Sequence, residues 1–300
     1  MLITDTTLIQ ALTNQLSMQQ DSIAQLQMQL ASGQVLNRPS DNPTAVTQVL
    51  ALSSQASQLA SWQANAEMAK SWLGTSADAA NSVINAMQSA RSLLLGAANQ
   101  GVQDPTSYQA IGSQLQGIIT NLRSLSNSQY GDRPIFAGTS ASAQAYDASG
   151  NYLGNSDAPT VVIGPGAGAG QTVDLSVPGT ALFGSGASSV FATLSAASNA
   201  LLTGAPTSAE ISTALNALDG NISTAEQASA TLGNAALQVS NSSATLSSQI
   251  ANIQANQATL EDVNLASATT QLDSDMTNYQ AALWAASRAI PETLAKFVAP

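Results

Sequence analysis

The sequence predicts a mainly α protein: a long antiparallel helical coiled-coil rod drawn from both termini, with a small inserted β-rich domain. Three observations predict it. Apolar residues recur at alternating steps of three and four along most of the 300 residues. Residues 131–188 break that rhythm with Gly, Pro, Asp and short β-branched runs. The helical rhythm then returns and runs to the C-terminus, so two helical arms flank one insertion.

The first arm opens with a seam of Leu2, Ile9, Leu12, Leu16, Ile23, Leu26 and Leu30, with Asp5 and Gln19 as polar members of the same row. Such a seam belongs to a helix that lies along another helix. Gly33 is a suitable helix stop. Ser40 and Asp41 are N-cap types, and Pro43 suits the first turn of a new helix, so Gly33 to Pro43 reads as an ordered joint.

A second helix is expected from Thr44 to Leu95, roughly 75–80 Å long at ~1.5 Å per residue. Its seam runs through Leu59, Trp62, Ala66, Ala69, Leu73, Ser76, Ala80, Val83, Met87, Ala90 and Leu94. Small residues on a seam let helices approach closely, and Gly74 weakens the middle without needing to break it. Asp104-Pro105 opens a third helix carrying Tyr108, Ile111, Leu115, Ile118, Leu122 and Leu125. Its short connection predicts an antiparallel packing on the second.

The insertion holds three short strand-like runs, 134–136, 160–163 and 172–177, divided by turns such as Ser149-Gly150 and Pro178-Gly179. Helical pattern resumes near Val190. Ile211, Leu215, Leu218 and Ile222 follow a Thr207/Ser208 cap candidate, and Leu232, Val239, Leu246, Ile250, Ile253 and Leu260 extend the seam. The phase jumps at Glu261-Asp262 and resumes as Leu265, Thr269, Leu272, Met276, Tyr279, Leu283, Ala286 and Ile290. Such a jump marks a second joint. Antiparallel closure of the arms places joint beside joint. The division expected is 1–43 with 246–300 as terminal helices, 44–130 with 189–245 as a long-helix bundle, and 131–188 as a β-rich outer module. A terminal helix with so few charges is marginal alone and is expected to fold against partners that cover its seam.

Composition excludes several function classes. Charged residues make up 8% of the chain, and the net charge of −11 leaves seven scattered bases, so no patch neutralises phosphates or an anionic membrane surface. With no Cys and no His, the commonest nucleophiles, bases and metal ligands are missing, and no catalytic, cofactor or metal site is assigned. The carboxylate pairs Glu261/Asp262 and Asp273/Asp275 read as solvated helix surface or caps. The glycine-rich run 164–170 lacks the Lys-Ser/Thr ending of a phosphate loop and reads as a surface loop. Trp62, Trp72 and Trp284 read as packing anchors. The N-terminus has neither a basic n-region nor a compact apolar h-region, so no cleavable secretory signal is expected. No run of about 18 apolar residues predicts a membrane span.

Three segments carry a resemblance. Leu30-Ala31-Ser32-Gly33 through Asn37-Arg38-Pro39-Ser40-Asp41-Asn42-Pro43 resembles the loop signature that follows the first helix of flagellins. Leu260-Glu261-Asp262-Val263-Asn264-Leu265-Ala266 resembles their shared C-terminal motif. Tyr130-Gly131-Asp132-Arg133-Pro134-Ile135-Phe136-Ala137-Gly138-Thr139 resembles a segment typical of the hook–filament junction group of flagellar hook-associated proteins. The departures are Gln34 at a commonly basic place, Pro134 at an aromatic or aliphatic one, and a tail from Pro291 to Pro300 that lacks the usual ending, with Leu294, Phe297 and Val298 as the nearest packing substitutes.

The flagellin superfamily resemblance implies a structural, non-enzymatic protein. It implies export unfolded through the flagellar type III channel, extracellular location at the hook–filament junction, and terminal helices forming an inner coiled-coil tube. Implied partners are further copies in a ring of about eleven, the sister hook-associated junction protein, flagellin and a cytoplasmic export chaperone; no nucleic acid, membrane or cofactor is implied. Assembly seams are then Leu2, Ile9, Leu12, Leu16, Ile23, Leu26 and Leu30 at one end, and Leu265, Leu272, Met276, Tyr279, Leu283 and Ile290 at the other, the latter also the chaperone seam. Arg38, Pro39, Ser40, Asp41, Pro43, Glu261 and Asp262 form the joint, with an Arg38–Asp262 ion pair as one candidate. The rival readings are a flagellin filament subunit and, more remotely, a cytoplasmic coiled-coil scaffold.

Overall fold

The computed structural model describes residues 2–99, 104–166 and 170–298. The side chains of Leu2, Ile9, Ile290, Leu294, Phe297 and Val298 lie outside the described residues. Seven α-helices and two two-stranded antiparallel sheets are described. The helices are α1 Leu2–Ser32, α2 Pro43–Asn99, α3 Pro105–Ser126, α4 Gly179–Phe183, α5 Val190–Leu202, α6 Ser208–Glu261 and α7 Leu265–Val298. Strands β1 Gln129–Tyr130 and β2 Arg133–Pro134 form one sheet, and β3 Thr160–Gly164 and β4 Gln171–Asp174 the other. The mainly α class with a small β element is the one the apolar rhythm predicts.

The chain divides into two compact units. The first joins Met1–Gln58 to Gln249–Pro300. In it α1 and α7 run antiparallel: Gln20 Nε2 donates to Tyr279 Oη at 2.6 Å, and Ser22 Oγ donates to Asp275 Oδ2 at 3.0 Å. Helix α1 stops at Gly33, which takes φ +74°, a left-handed conformation that a side chain resists. Gln257 Nε2 donates to Ser53 Oγ at 2.9 Å, joining the first turns of α2 to the last turns of α6.

The second unit is Leu59–Ser248. Here α2 and α6 keep one antiparallel register. Gln63 meets Ser247, Glu67 meets Ser243, Asn81 meets Ser229 and Arg91 meets Asp219, the partner stepping back one residue for each that α2 advances. The predicted seam of α2 is the buried face: Leu59, Ala66, Ala69, Leu73, Ser76, Ala80, Val83, Met87, Ala90 and Leu94 are all buried. Glycine at 74 opens onto empty space and leaves the helix continuous.

Helix α3 makes its close backbone approach to α5, a pairing that the short α2–α3 connection did not suggest. Gly112 permits it. A Cβ there would meet Leu202 Cγ at 3.0 Å and Ser198 O at 3.1 Å, and Ser198 Oγ donates to Gly112 O at 2.9 Å. Phe136, Tyr146, Phe183 and Phe191 pack as one aromatic cluster, with Phe183 and Phe191 stacked 5.5 Å apart. These residues belong to the same buried core as the helix seams. Side chains of α2 and α6 hold the β3–β4 sheet: Asn65 Nδ2 donates to Val162 O at 2.9 Å and Ser242 Oγ to Ile163 O at 2.7 Å.

Candidate assembly surface at the paired termini

The joint is built from backbone. Val35 N–H donates to Glu261 O at 2.6 Å and Val263 N–H to Gly33 O at 3.0 Å, with Gln34 and Asp262 paired between them. The two breaks read from the sequence therefore meet. Each is capped by an asparagine. Asn42 Oδ1 accepts from Ala45 N at 3.1 Å before α2, and Asn264 Oδ1 accepts from Ser267 N at 3.1 Å before α7. The cap of α2 thus falls one residue after Asp41, and Pro43 is the first helical residue. Asp41 turns back instead, its Oδ2 accepting from Arg38 N at 2.9 Å and Asn37 N at 3.2 Å, which ties the loop shut. Arg38 does not pair with Asp262; its Nη2 lies 3.9 Å from Met28 Sδ. Pro39 and Ser40 are exposed.

Of the seam predicted on α1, Leu12, Leu16, Ile23, Leu26 and Leu30 are half-buried. On α7 the buried row differs from the one expected. Ala268 and Ala286 are buried, and Leu272, Asp275, Tyr279 and Ala282 are half-buried, again at steps of four and three. Leu272 and Tyr279 lie in both rows. Leu265, Met276 and Leu283, which the sequence placed on the seam, stand one row around and are exposed. Trp284 is not a packing anchor: it is 70% exposed. The physical reason is side-chain size. Alanine lets α7 approach α1 closely, and the larger apolar residues are left on the outer flank. A row in which three alanines and one aspartate accompany Leu272 and Tyr279 is hard to read as a seam by hydrophobicity, although it keeps heptad spacing.

A groove of about 510 Å³ runs between α1 and α7, lined by Gln20, Ile23, Ala24, Gln27, Met276, Tyr279, Gln280 and Leu283. Apolar flanks beside a half-covered seam can bury further area against another helix. Among the described residues no group of three or more acidic side chains is placed to hold a metal, and no helix is long and apolar enough to cross a membrane.

The bacterial flagellin N-terminal helical region matches residues 3–141. Flagellar hook-associated protein 3 of Salmonella typhimurium is 30% identical over 134 residues, which is 44% of this chain and 42% of that protein. The match thus spans less than half the length of that curated relative. A protein solved as a candidate flagellar hook-associated protein from Vibrio parahaemolyticus superposes with a TM-score of 0.67 at 22% identity, over 74% of this chain and 99% of its own. Bacillus cereus FlgL superposes at 0.60 with 20% identity, over 69% and 99%. Flagellar hook-associated protein 3 of Legionella pneumophila superposes at 0.60 with 12% identity, over 71% and 98%. The N-terminal part of this chain is thus similar to the helical region of bacterial flagellins, and its fold is similar to that of the solved flagellar hook-associated proteins.

Proposed function

We propose that this chain is a structural adaptor of the bacterial flagellum that joins hook to filament. It catalyses nothing. It leaves the cell unfolded, then folds as it assembles into a ring, its terminal seams buried by neighbouring copies, by the sister hook-associated protein and by flagellin. Before export a chaperone covers α7. Residues 1–43 and 246–300 form the assembly end in this reading, 44–130 and 189–245 its bundle, and 131–188 the module farthest from the ring axis. The observation that carries it is the one-sided burial of the α1–α7 pair, which leaves Leu265, Met276, Leu283 and Trp284 uncovered. Exposed apolar rows of this kind mark association surfaces in soluble chains. The name of the Salmonella relative supports the site of action.

The flagellin match over residues 3–141 favours a second reading, a filament subunit. A deletion strain separates the two. Cells that keep their hooks, lack filaments and release flagellin into the medium support the adaptor. Filaments of normal length in that strain rule it out, and loss of all filament protein from the medium and the surface supports the subunit.

A further inference from the structure

A cleft of about 800 Å³ lies within the second unit, between the β4 segment and α6. Its strand wall presents Thr172, Asp174 and Ser176, alternate residues that share one face, together with edges of the buried Val173 and Val177, while Leu175 belongs to the core alone. Its helix wall presents Thr231, Asn234, Ala235 and Gln238, spaced as one face of α6. Asp157 also lines it. The hydroxyl of Ser176 is 2% exposed by residue and has no hydrogen-bond partner. A buried hydroxyl left unpaired is costly, and natural proteins rarely leave one so without a reason.

The geometry points to a saccharide-binding cleft, taking a neutral sugar of one or two rings. Four features select that chemistry. The lining contains no basic side chain, so an anion finds no counter-charge. The carboxylates Asp157 and Asp174 accept hydrogen bonds, whereas the amides of Asn234 and Gln238 need acceptors as well as donors. A metal ion or a diamine brings no acceptor and leaves those amides and Ser176 unsatisfied; a sugar hydroxyl both donates and accepts. Pro178 and Val177 add an apolar strip against which the C–H face of a pyranose packs. The volume falls within the range of small-molecule sites, about 300–1,000 Å³. This inference rests on the second unit alone and does not depend on the junction role.

The test is saturation-transfer NMR and calorimetry on the full chain with glucose, galactose, mannose and N-acetylglucosamine, and separately with putrescine and calcium chloride. At least one sugar binds with Kd of about 1 mM, a typical weak-site affinity. Asn234→Ala and Gln238→Ala, both on the solvent side of α6, each weaken it about tenfold by removing one polar contact. Ala235→Phe, which fills the cleft, abolishes it, with circular dichroism of every variant unchanged. Absence of binding by all four sugars overturns the proposal. So does sugar binding that survives Asn234→Ala, Gln238→Ala and Ala235→Phe together, or tighter binding of putrescine or calcium than of any sugar.

Discussion

Gln34 and Asp262 face each other in an isolated antiparallel bridge, flanked by Val35 N–H on Glu261 O and Val263 N–H on Gly33 O. Two interruptions far apart in sequence thereby satisfy each other's backbone polar groups. That matters because a helix end leaves its last carbonyls without intrahelical donors. Here α6 ends at Glu261, and the donor its carbonyl lacks comes from the loop after α1.

Val35→Pro removes that donor without touching a core side chain. Losing one hydrogen bond and leaving its acceptor unpaired costs about 1–3 kcal/mol. Amide exchange checks it. Residues 12–32 and 265–286 should exchange faster in the variant, while α3 and α5 are unchanged. Equal protection of α1 in both proteins would mean that the bridge holds nothing.

The exposed flank of α7 gives a second expectation. Met276→Glu and Leu283→Glu place charge on exposed positions that line the groove with α1. Surface changes of this kind usually move stability by no more than about 0.5 kcal/mol. The variants should fold and melt like the parent as monomers, yet fail to support filament growth in a complemented deletion strain. Full swarming by the double variant counts against α7 as an assembly surface. The parent should also show weak amide protection over residues 12–30 when dilute, rising on assembly, since a half-buried pair of helices has little to hold it closed.

Much of this is legible in the sequence. The α2 seam from Leu59 to Leu94 is buried nearly residue for residue, because a repeat of three and four over many turns leaves one way to hide its apolar face. The Thr207 cap and the phase jump at Glu261 also stand where punctuation places them. Two features were harder. On α7 the buried row consists of Ala268, Asp275, Ala282 and Ala286 besides Leu272 and Tyr279, and large side chains drew the reading one row away. The partnership of α3 with α5 is non-local and turns on the missing side chain of Gly112, which periodicity does not encode. The β4–α6 cleft was also invisible, since its walls come from segments about sixty residues apart, the scale of a whole supersecondary unit.

Phe183 anchors the core of the second unit, fully buried and in ring contact with Phe136, Tyr146 and Phe191. Phe183→Ala should destabilise by about 3–5 kcal/mol, the usual cost of emptying a packed aromatic site. Denaturant unfolding measures it. The same cluster sets an alkaline limit. Burial, with a smaller effect of Tyr152, pushes the Tyr146 phenol well above its ordinary value. A group whose folded pKa is raised stabilises fully below its unfolded pKa and progressively less above it. Stability should therefore decline above about pH 10, and Tyr146→Phe should flatten that decline.

At the start of α6 Thr207 and Glu210 form a reciprocal cap: Glu210 N donates to Thr207 Oγ1 at 3.2 Å, and Thr207 N and Oγ1 both donate to Glu210 Oε2 at 2.8 Å. The hydrogen bond from the Thr207 backbone, then that from its hydroxyl, holds the Glu210 carboxyl below its usual range. The folded state thus binds a proton less readily than the unfolded chain. The cap's charged contribution is full above the unfolded value of about 4.3 and is lost as pH falls through the lower folded value. Thermal melts of the parent and Glu210→Gln should differ most near neutral pH, with the parent more stable, and converge below about pH 4. Thr207→Ala should lower stability by about 1 kcal/mol at neutral pH and also remove most of that convergence. A gap between parent and Glu210→Gln that widens on acidification would reverse the sign and refute the assignment of the cap.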